Sequence, residues 1–173
     1  MWITRREGGS WLPSPLDEAE INGGEDLTPI EFYLPMYIEP KHDTGWHNAP
    51  RHKKQKANEK AIRAEVIRRA RTRLRLCPVR VDTLFWKKWP KRTPKYKLGL
   101  AWEPCDSTPD VGNQRKQLLD AFQGIYYVND KQVCAGIELK TWGPEDGVFV
   151  RISELTAEDA RAFWKSNMGA KGD

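Results

Sequence analysis

The chain has 173 residues, 39% hydrophobic and 31% charged, which fits one ordinary domain with tails and a modest core. No apolar run reaches the roughly 20 residues that cross a bilayer, and "MWITRREGGSW" has no apolar stretch of secretory length, so a cytoplasmic protein with no membrane partner is expected. The three cysteines, Cys77, Cys105 and Cys134, are far apart and form no C-x-x-C pair, which argues against a zinc ribbon or a disulfide framework.

Charge is distributed in blocks. Residues 1–40 hold two basic and eight acidic side chains (net −6), residues 41–97 nineteen and four (net +15), and residues 98–173 eight and twelve (net −4). A basic middle between acidic flanks points to a polyanionic partner, most simply nucleic acid.

In chain order, residues 1–29 carry two Gly-Gly pairs and little periodicity, and are expected to be an irregular N-terminal extension. "IEFYLPMYI" (30–38) is aromatic-rich and bounded by prolines, a strand that Pro35 demotes to an edge or a bulge. Residues 39–52 form a loop with His42, His47 and His52. These could ligate zinc or supply a nuclease base, but a weakly basic loop touching nucleic acid suits the five-residue spacing better.

A helix is expected over 53–75, where Ile62, Val66, Ala70 and Leu74 recur every four residues and Ile67 widens the stripe. Ten basic residues against two acids occupy this segment. Lys53, Lys54, Lys56, Lys60 and Arg63, with Arg51 just before them, suit contact with phosphates. Pro78 is expected to end the helix. "VRVDTLFWKKW" (79–89) reads as a strand, "PKRTP" as a turn and "KYKLGLAWE" (95–103) as a returning strand. The result is a basic hairpin with Lys87, Lys88, Lys91 and Arg92 available to phosphate. Trp86, Trp89 and Trp102 fit a core or subunit interface better than base stacking.

In "PDVGNQRKQLLDAF" (109–122), Asn113 is a suitable N-cap, Leu118, Leu119 and Phe122 form an apolar face, and Lys116 and Asp120 share another. Asp110 precedes this helix and Asp130 precedes the next strand. Asp110 and Asp130 could together hold Mg²⁺, with Lys116 neutralising developing charge. A capped helix with an internal ion pair explains the same residues, and the residues alone favour it. Residues 131–142 and 147–153, separated by "GPED", read as a hairpin. Thr156 with Asp159 resembles a capping box that opens a short C-terminal helix, residues 154–173 being that helix and a tail. The order of elements implies an α+β fold, a small mixed β-sheet packed with helices.

The run "PDVGNQRKQLLDAFQGIYYVNDKQV" resembles the signature of RusA-type Holliday junction resolvases, a D-x-D-N-x-x-K turn and helix followed by D-A-aromatic, an acidic pair and Q-V. Asp110, Asn113, Lys116, Asp120, Asp130, Gln132 and Val133 fall on those positions, and the resemblance extends loosely over 30–153. It implies a homodimer that binds four-way or branched DNA in a bacterial or phage-infected cell and nicks opposing strands with Mg²⁺ or Mn²⁺. Asp110 and Asp130 would be the catalytic metal ligands, Lys116 the transition-state cation, and Asn113 and Asp120 supporting residues. Two departures stand out. Gly112 replaces the second aspartate of D-x-D, and Asn129 replaces the first acid of the pair. Asp106 or Glu138 are candidate substitutes. The alternative to a junction endonuclease is therefore the same fold disarmed by Gly112 and kept for binding branched DNA.

Overall fold

A computed structural model of the protein describes residues 28–41, 49–91 and 103–168. In chain order these form β1 (Ile30–Leu34), α1 (Ala49–Arg69), β2 (Val79–Lys88), α2 (Val111–Phe122), a 3₁₀ turn (Asp130–Gln132), β3 (Val133–Ala135), β4 (Glu138–Gly143), β5 (Gly147–Glu154) and α3 (Ala157–Met168). This is the expected α+β class, a mixed five-stranded sheet with three helices.

β2 is the hub of the sheet. One edge pairs antiparallel with β5, which in turn pairs antiparallel with β1. Its other edge carries β3 beside Val79 and Arg80, then β4 beside Thr83 to Lys88, both parallel. β3 and β4 are thus one edge strand interrupted at Gly136 and Ile137. The buried Asp82 carboxylate fills the break, accepting the Ile137 N–H at 2.8 Å and the Arg80 guanidinium. Gly136 is required there, because a Cβ would lie 2.1 Å from the Val81 carbonyl oxygen.

Strand alternation puts Ile30, Phe32 and Leu34, Val79, Val81 and Phe85, and Val148, Val150 and Ile152 on one face. They pack with Ile62 and Val66 of α1, Leu118, Ala121 and Phe122 of α2, and Tyr126 into one core. Full burial of each such aliphatic or aromatic side chain contributes about 1.5–3 kcal/mol, so the core fixes how both helices lie on the sheet. The opposite face holds Tyr33, Trp86 and Phe149 in mutual aromatic contact, and α3 meets it where Arg80 lies over the Phe163 ring.

The structure departs from the sequence reading in four places. First, α1 runs over 49–69, four residues earlier than expected, and stops well before Pro78. Ile62 and Val66 are fully buried, but Leu74 is exposed and Ile67 more so. Beyond the helix the chain carries Arg75 to the sheet. Its buried guanidinium pairs with Glu154 at 2.7 Å and donates to the Thr28 carbonyl, and its N–H donates to the Tyr126 carbonyl. Second, β1 ends at Leu34, just before Pro35.

Third, β4 and β5 are not a hairpin, because β2 lies between them. Their connection crosses the end of β2, where Lys88 N–H donates to Asp146 and Trp89 N–H to the Gly143 carbonyl. A Cβ on Gly147 would overlap the Tyr33 ring and one on Gly143 would press on the Trp86 ring at 3.0 Å, so a side chain at either crossing point would push on the ring beside it. Fourth, Glu103, the described end of the expected returning strand, pairs with β4 through Trp142 rather than with β2. The remainder of that strand, with Trp102, lies outside the described residues. The C-terminal helix does start as expected, with reciprocal Thr156–Asp159 bonds of 3.0 and 3.2 Å.

Candidate active site

α2 is fixed on three sides before its exposed residues are considered. Gln114 donates to the Ile38 carbonyl at 2.8 Å and Gln117 to that of Gln55. Arg63, from α1, donates to the carbonyls of Ala121 and Gln123 at 3.0 and 2.7 Å, where the end of a helix leaves acceptors unpaired. Arg115 pairs with Glu138 of β4 at 2.8 Å. Arg63, expected to meet phosphate, is therefore engaged at the C-terminus of α2. Glu138, a candidate substitute ligand, is engaged with Arg115.

Asp110, not Asn113, is the N-cap of α2. Its Oδ1 accepts the Gly112 N–H at 3.2 Å and its carbonyl accepts from Gln114. Asn113 lies inside the first turn, where its carbonyl receives the Lys41 N–H at 2.9 Å. The expected intrahelical partner of Asp120 is also replaced, since Lys41 Nζ sits 2.5 Å from Asp120 Oδ2. Lys116 is exposed and has no hydrogen bond or ion pair among the described residues. Sequence reasoning missed Lys41. Its basic character was visible, but a contact 79 positions away in the chain was not.

Asp130 opens the 3₁₀ turn and is exposed. Asn129, at the place of the family's first acid, caps that turn: its Oδ1 accepts the Lys131 N–H, while Gln132 Oε1 accepts the N–H groups of Val128 and Asn129. Gln132 also donates to the carbonyls of Arg75 and Cys77 at 3.0 Å, holding the turn to the start of β2. Asn129 and Gln132 thus have structural work in this chain. The Tyr127 phenol, which donates to the Leu119 carbonyl at 2.7 Å, has its pKa raised first by burial and then by the carboxylates of Asp120 and Asp130. Asp130 lies three residues before Val133, which pairs with Val79 at the start of β2, and three after Tyr127, which bonds the Leu119 turn. Asp110 caps the other end of α2, and the rise from Val111 to Leu119 is about 12 Å at 1.5 Å per residue.

Hard carboxylate oxygens suit Mg²⁺, which takes one or two of them with waters and substrate phosphate. Asp110 Oδ2 and the Asp130 carboxylate are each unengaged among the described residues, but they stand at opposite ends of α2 and do not share an ion within one chain, which leaves Asp110 as one carboxylate of a sparse, hydrated site. No group of three or more His, Cys, Asp and Glu side chains that could hold a metal occurs among the described residues. Asp106 is exposed in the loop before α2. His52 is exposed on α1, and His42 and His47 lie outside the described residues. A Cβ added at Gly112 would stand 3.6 Å from Asp110 Oδ2, an ordinary contact with no backbone strain.

Among the expected phosphate-binding residues, Lys53, Lys56, Lys60, Lys88 and Lys91 are exposed and have no side-chain partner among the described residues. Lys54 pairs with Glu39 at 2.9 Å. Lys87 turns inward and donates to Ser107 Oγ at 2.8 Å and to the Thr108 carbonyl. Arg92 and the side chain of Arg51 lie outside the described residues. Trp89 stacks on Trp142 with ring centroids 5.1 Å apart, in agreement with a packing role.

A mixed sheet thus carries an exposed basic helix beside a capped helix with a free lysine and free carboxylates, groups of the kind that engage nucleic-acid phosphates. The family follows directly: the model described as endodeoxyribonuclease RusA matches residues 38–153, more than half of the chain, and the protein belongs to that family. The family resolves Holliday junctions by endonucleolytic cleavage, binds branched DNA and depends in general on a divalent metal. β1 precedes the matched span, although it completes the sheet. No curated protein matches the chain. Among the described residues, no helix is long and apolar enough to cross a membrane.

Proposed function

We propose that this protein is a Mg²⁺-dependent endonuclease that resolves four-way DNA junctions by paired nicks as a homodimer, inside a bacterial or phage-infected cell. The observation that carries it is Lys116. In a chain of this family, the lysine at the signature position stands free while Lys41 pairs with Asp120. A two-fold dimer suits a junction with two equivalent scissile bonds.

Asp110 and Asp130, which stand at opposite ends of α2, would each offer a carboxylate to a divalent ion, Mg²⁺ or Mn²⁺, which when bound supplies an activated water and charge stabilisation at the phosphodiester. Lys116 places its ammonium where negative charge develops on the phosphate oxygens and lowers the barrier by an interaction made most strongly in the transition state. Asp120, neutralised by Lys41, exerts no competing pull on that ammonium. Lys53, Lys56 and Lys60, with Lys88 and Lys91, bind backbone phosphate and orient the junction. Replacing Asp130 with Asn while leaving the Mg²⁺ requirement unchanged would remove Asp130 from this assignment.

Gly112 supports a second reading, a branched-DNA-binding protein of the same fold that has lost cleavage with its second carboxylate. One experiment separates the two. A labelled four-way junction, with linear duplex as control, is incubated with and without Mg²⁺ with wild type, Lys116→Ala and Gly112→Asp. Paired nicks in wild type that vanish in Lys116→Ala establish the nuclease. Binding without nicks, with cutting gained in Gly112→Asp, establishes the binding protein.

A further inference from the structure

Two lysines on neighbouring strands reach the loop that delivers Asp110. Glu138, Lys140 and Trp142 of β4 share the helix-facing side of the sheet with Thr83, Phe85 and Lys87 of β2, because the two strands pair in parallel register. From there Lys140 Nζ donates to the Pro109 carbonyl at 2.7 Å and to the Ser107 carbonyl, while Lys87 Nζ takes Ser107 Oγ and the Thr108 carbonyl. The backbone is joined as well: Cys105 N–H donates to the Lys140 carbonyl at 3.0 Å, and Trp142 N–H to that of Glu103 at 2.9 Å. Residues 103–109 are therefore stitched to β4 up to the residue before Asp110. Two positions before Lys140, Glu138 holds Arg115, in the second turn of α2.

We infer that Lys140 is a positioning residue for Asp110, fixing the carboxylate for its ligand through the loop carbonyls at 107 and 109. This rests on the reading of Asp110 as a metal ligand. The chemistry favours a lysine. An ammonium has three donors and no acceptor, and the carbonyls it gathers have no strand partner, so one side chain satisfies two acceptors that a turn would otherwise leave open. Lys140 does not touch the reacting atoms. Its loss would free the residue before the N-cap and spread the orientations of Asp110. Groups that orient a metal ligand typically account for about 10–100-fold in affinity.

The test uses the full-length protein with Lys140→Met, which keeps the aliphatic stem, and Lys165→Met on exposed α3 as control. Mn²⁺ binding is titrated by electron paramagnetic resonance, the Mg²⁺ dependence of nicking is measured on a four-way junction, and junction affinity is measured without metal. The inference expects Mn²⁺ binding at least about tenfold weaker in Lys140→Met, a parallel rise in the Mg²⁺ needed for half-maximal nicking, and unchanged metal-free junction affinity. Wild-type values throughout overturn it, as does a loss of junction affinity that matches the loss of nicking. Should Lys140→Met not fold, Lys140→Gln carries the same comparison with the same outcomes. Wild type that binds Mn²⁺ without nicking sinks the nuclease reading and leaves the Mn²⁺ titration to decide on Lys140. Wild type that binds no Mn²⁺ overturns both.

Discussion

Lys41 Nζ lies 2.5 Å from Asp120 Oδ2, joining the segment after β1 to the third turn of α2. Both side chains keep about a third or more of their surface, so the pair adds little stability, at most about 1 kcal/mol. Its effect is on electrostatics, since Asp120 is one turn from Lys116 and would otherwise be its natural partner. Lys41→Met should leave the urea midpoint nearly unchanged while slowing nicking several-fold. Lys41→Met combined with Asp120→Asn should restore the rate. A large shift in the midpoint would give the pair a structural role instead.

Lys116→Ala removes an exposed side chain with no partner, so stability should stay within about 0.5 kcal/mol. Nicking should fall by roughly 10²–10³, the usual cost of losing one transition-state donor. Metal-free junction affinity should change little. Gel assays of binding and cleavage on one preparation decide between this and a simple phosphate contact.

Gly112→Asp places a second carboxylate beside that of Asp110, with room for its Cβ at 3.6 Å. An acid in the first turn of a helix is also favourable by about 0.3–1 kcal/mol. The variant should melt no lower than wild type and need about tenfold less Mg²⁺ for half-maximal nicking. An unchanged Mg²⁺ titration would mean that position 112 does not face the ion.

The basic residues of α1 divide into two kinds. Lys53, Lys56 and Lys60 are exposed, so replacing all three with Ala should flatten the salt dependence of junction binding, by about 0.9 in the log–log slope for each phosphate no longer neutralised. Stability should hold. Arg63→Ala should do the reverse, costing about 1–3 kcal/mol by leaving the carbonyls of Ala121 and Gln123 without their donor. Salt titrations beside chemical denaturation check both.

The Asp159 carboxyl sits below its ordinary 3.8, held there chiefly by the Thr156 hydroxyl and then by the Thr156 N–H. A depressed acid stabilises the fold above its unfolded pKa and loses that contribution as pH falls through the folded value. The start of α3 should therefore be intact at neutral pH and fray only from about pH 4 downward. Carboxyl titration by NMR should show Asp159 moving back towards its ordinary range in Thr156→Ala.

How much was legible depended on whether the cause was local. The extent of β2, the capping box at Thr156 and the class of α2 follow from alternation, spacing and cap chemistry within a few residues. The carboxylates and the lysine around α2 were visible too, because a signature of fixed spacing is a local object. Arg63 and Lys87 looked the same in sequence as Lys53 or Lys88. Only the fold turns them inward, one to the end of α2 and one to the Asp110 loop. The N-cap falls at Asp110 rather than Asn113, where the Asp110 carboxylate accepts the Gly112 N–H at the end of a loop held by Lys140 and Lys87.

The sequence by itself determined the α+β class, the basic middle, the signature residues and the family they announce, since composition and short spacings survive any arrangement of the chain. The tertiary structure alone decided that β2 separates β4 from β5, that α1 releases the chain at Arg69 so that Arg75 can be buried against Glu154, and that Lys41 takes Asp120 from Lys116. Each of these joins residues dozens of positions apart, where the deciding energy is burial and pairing across the core and no periodicity records it.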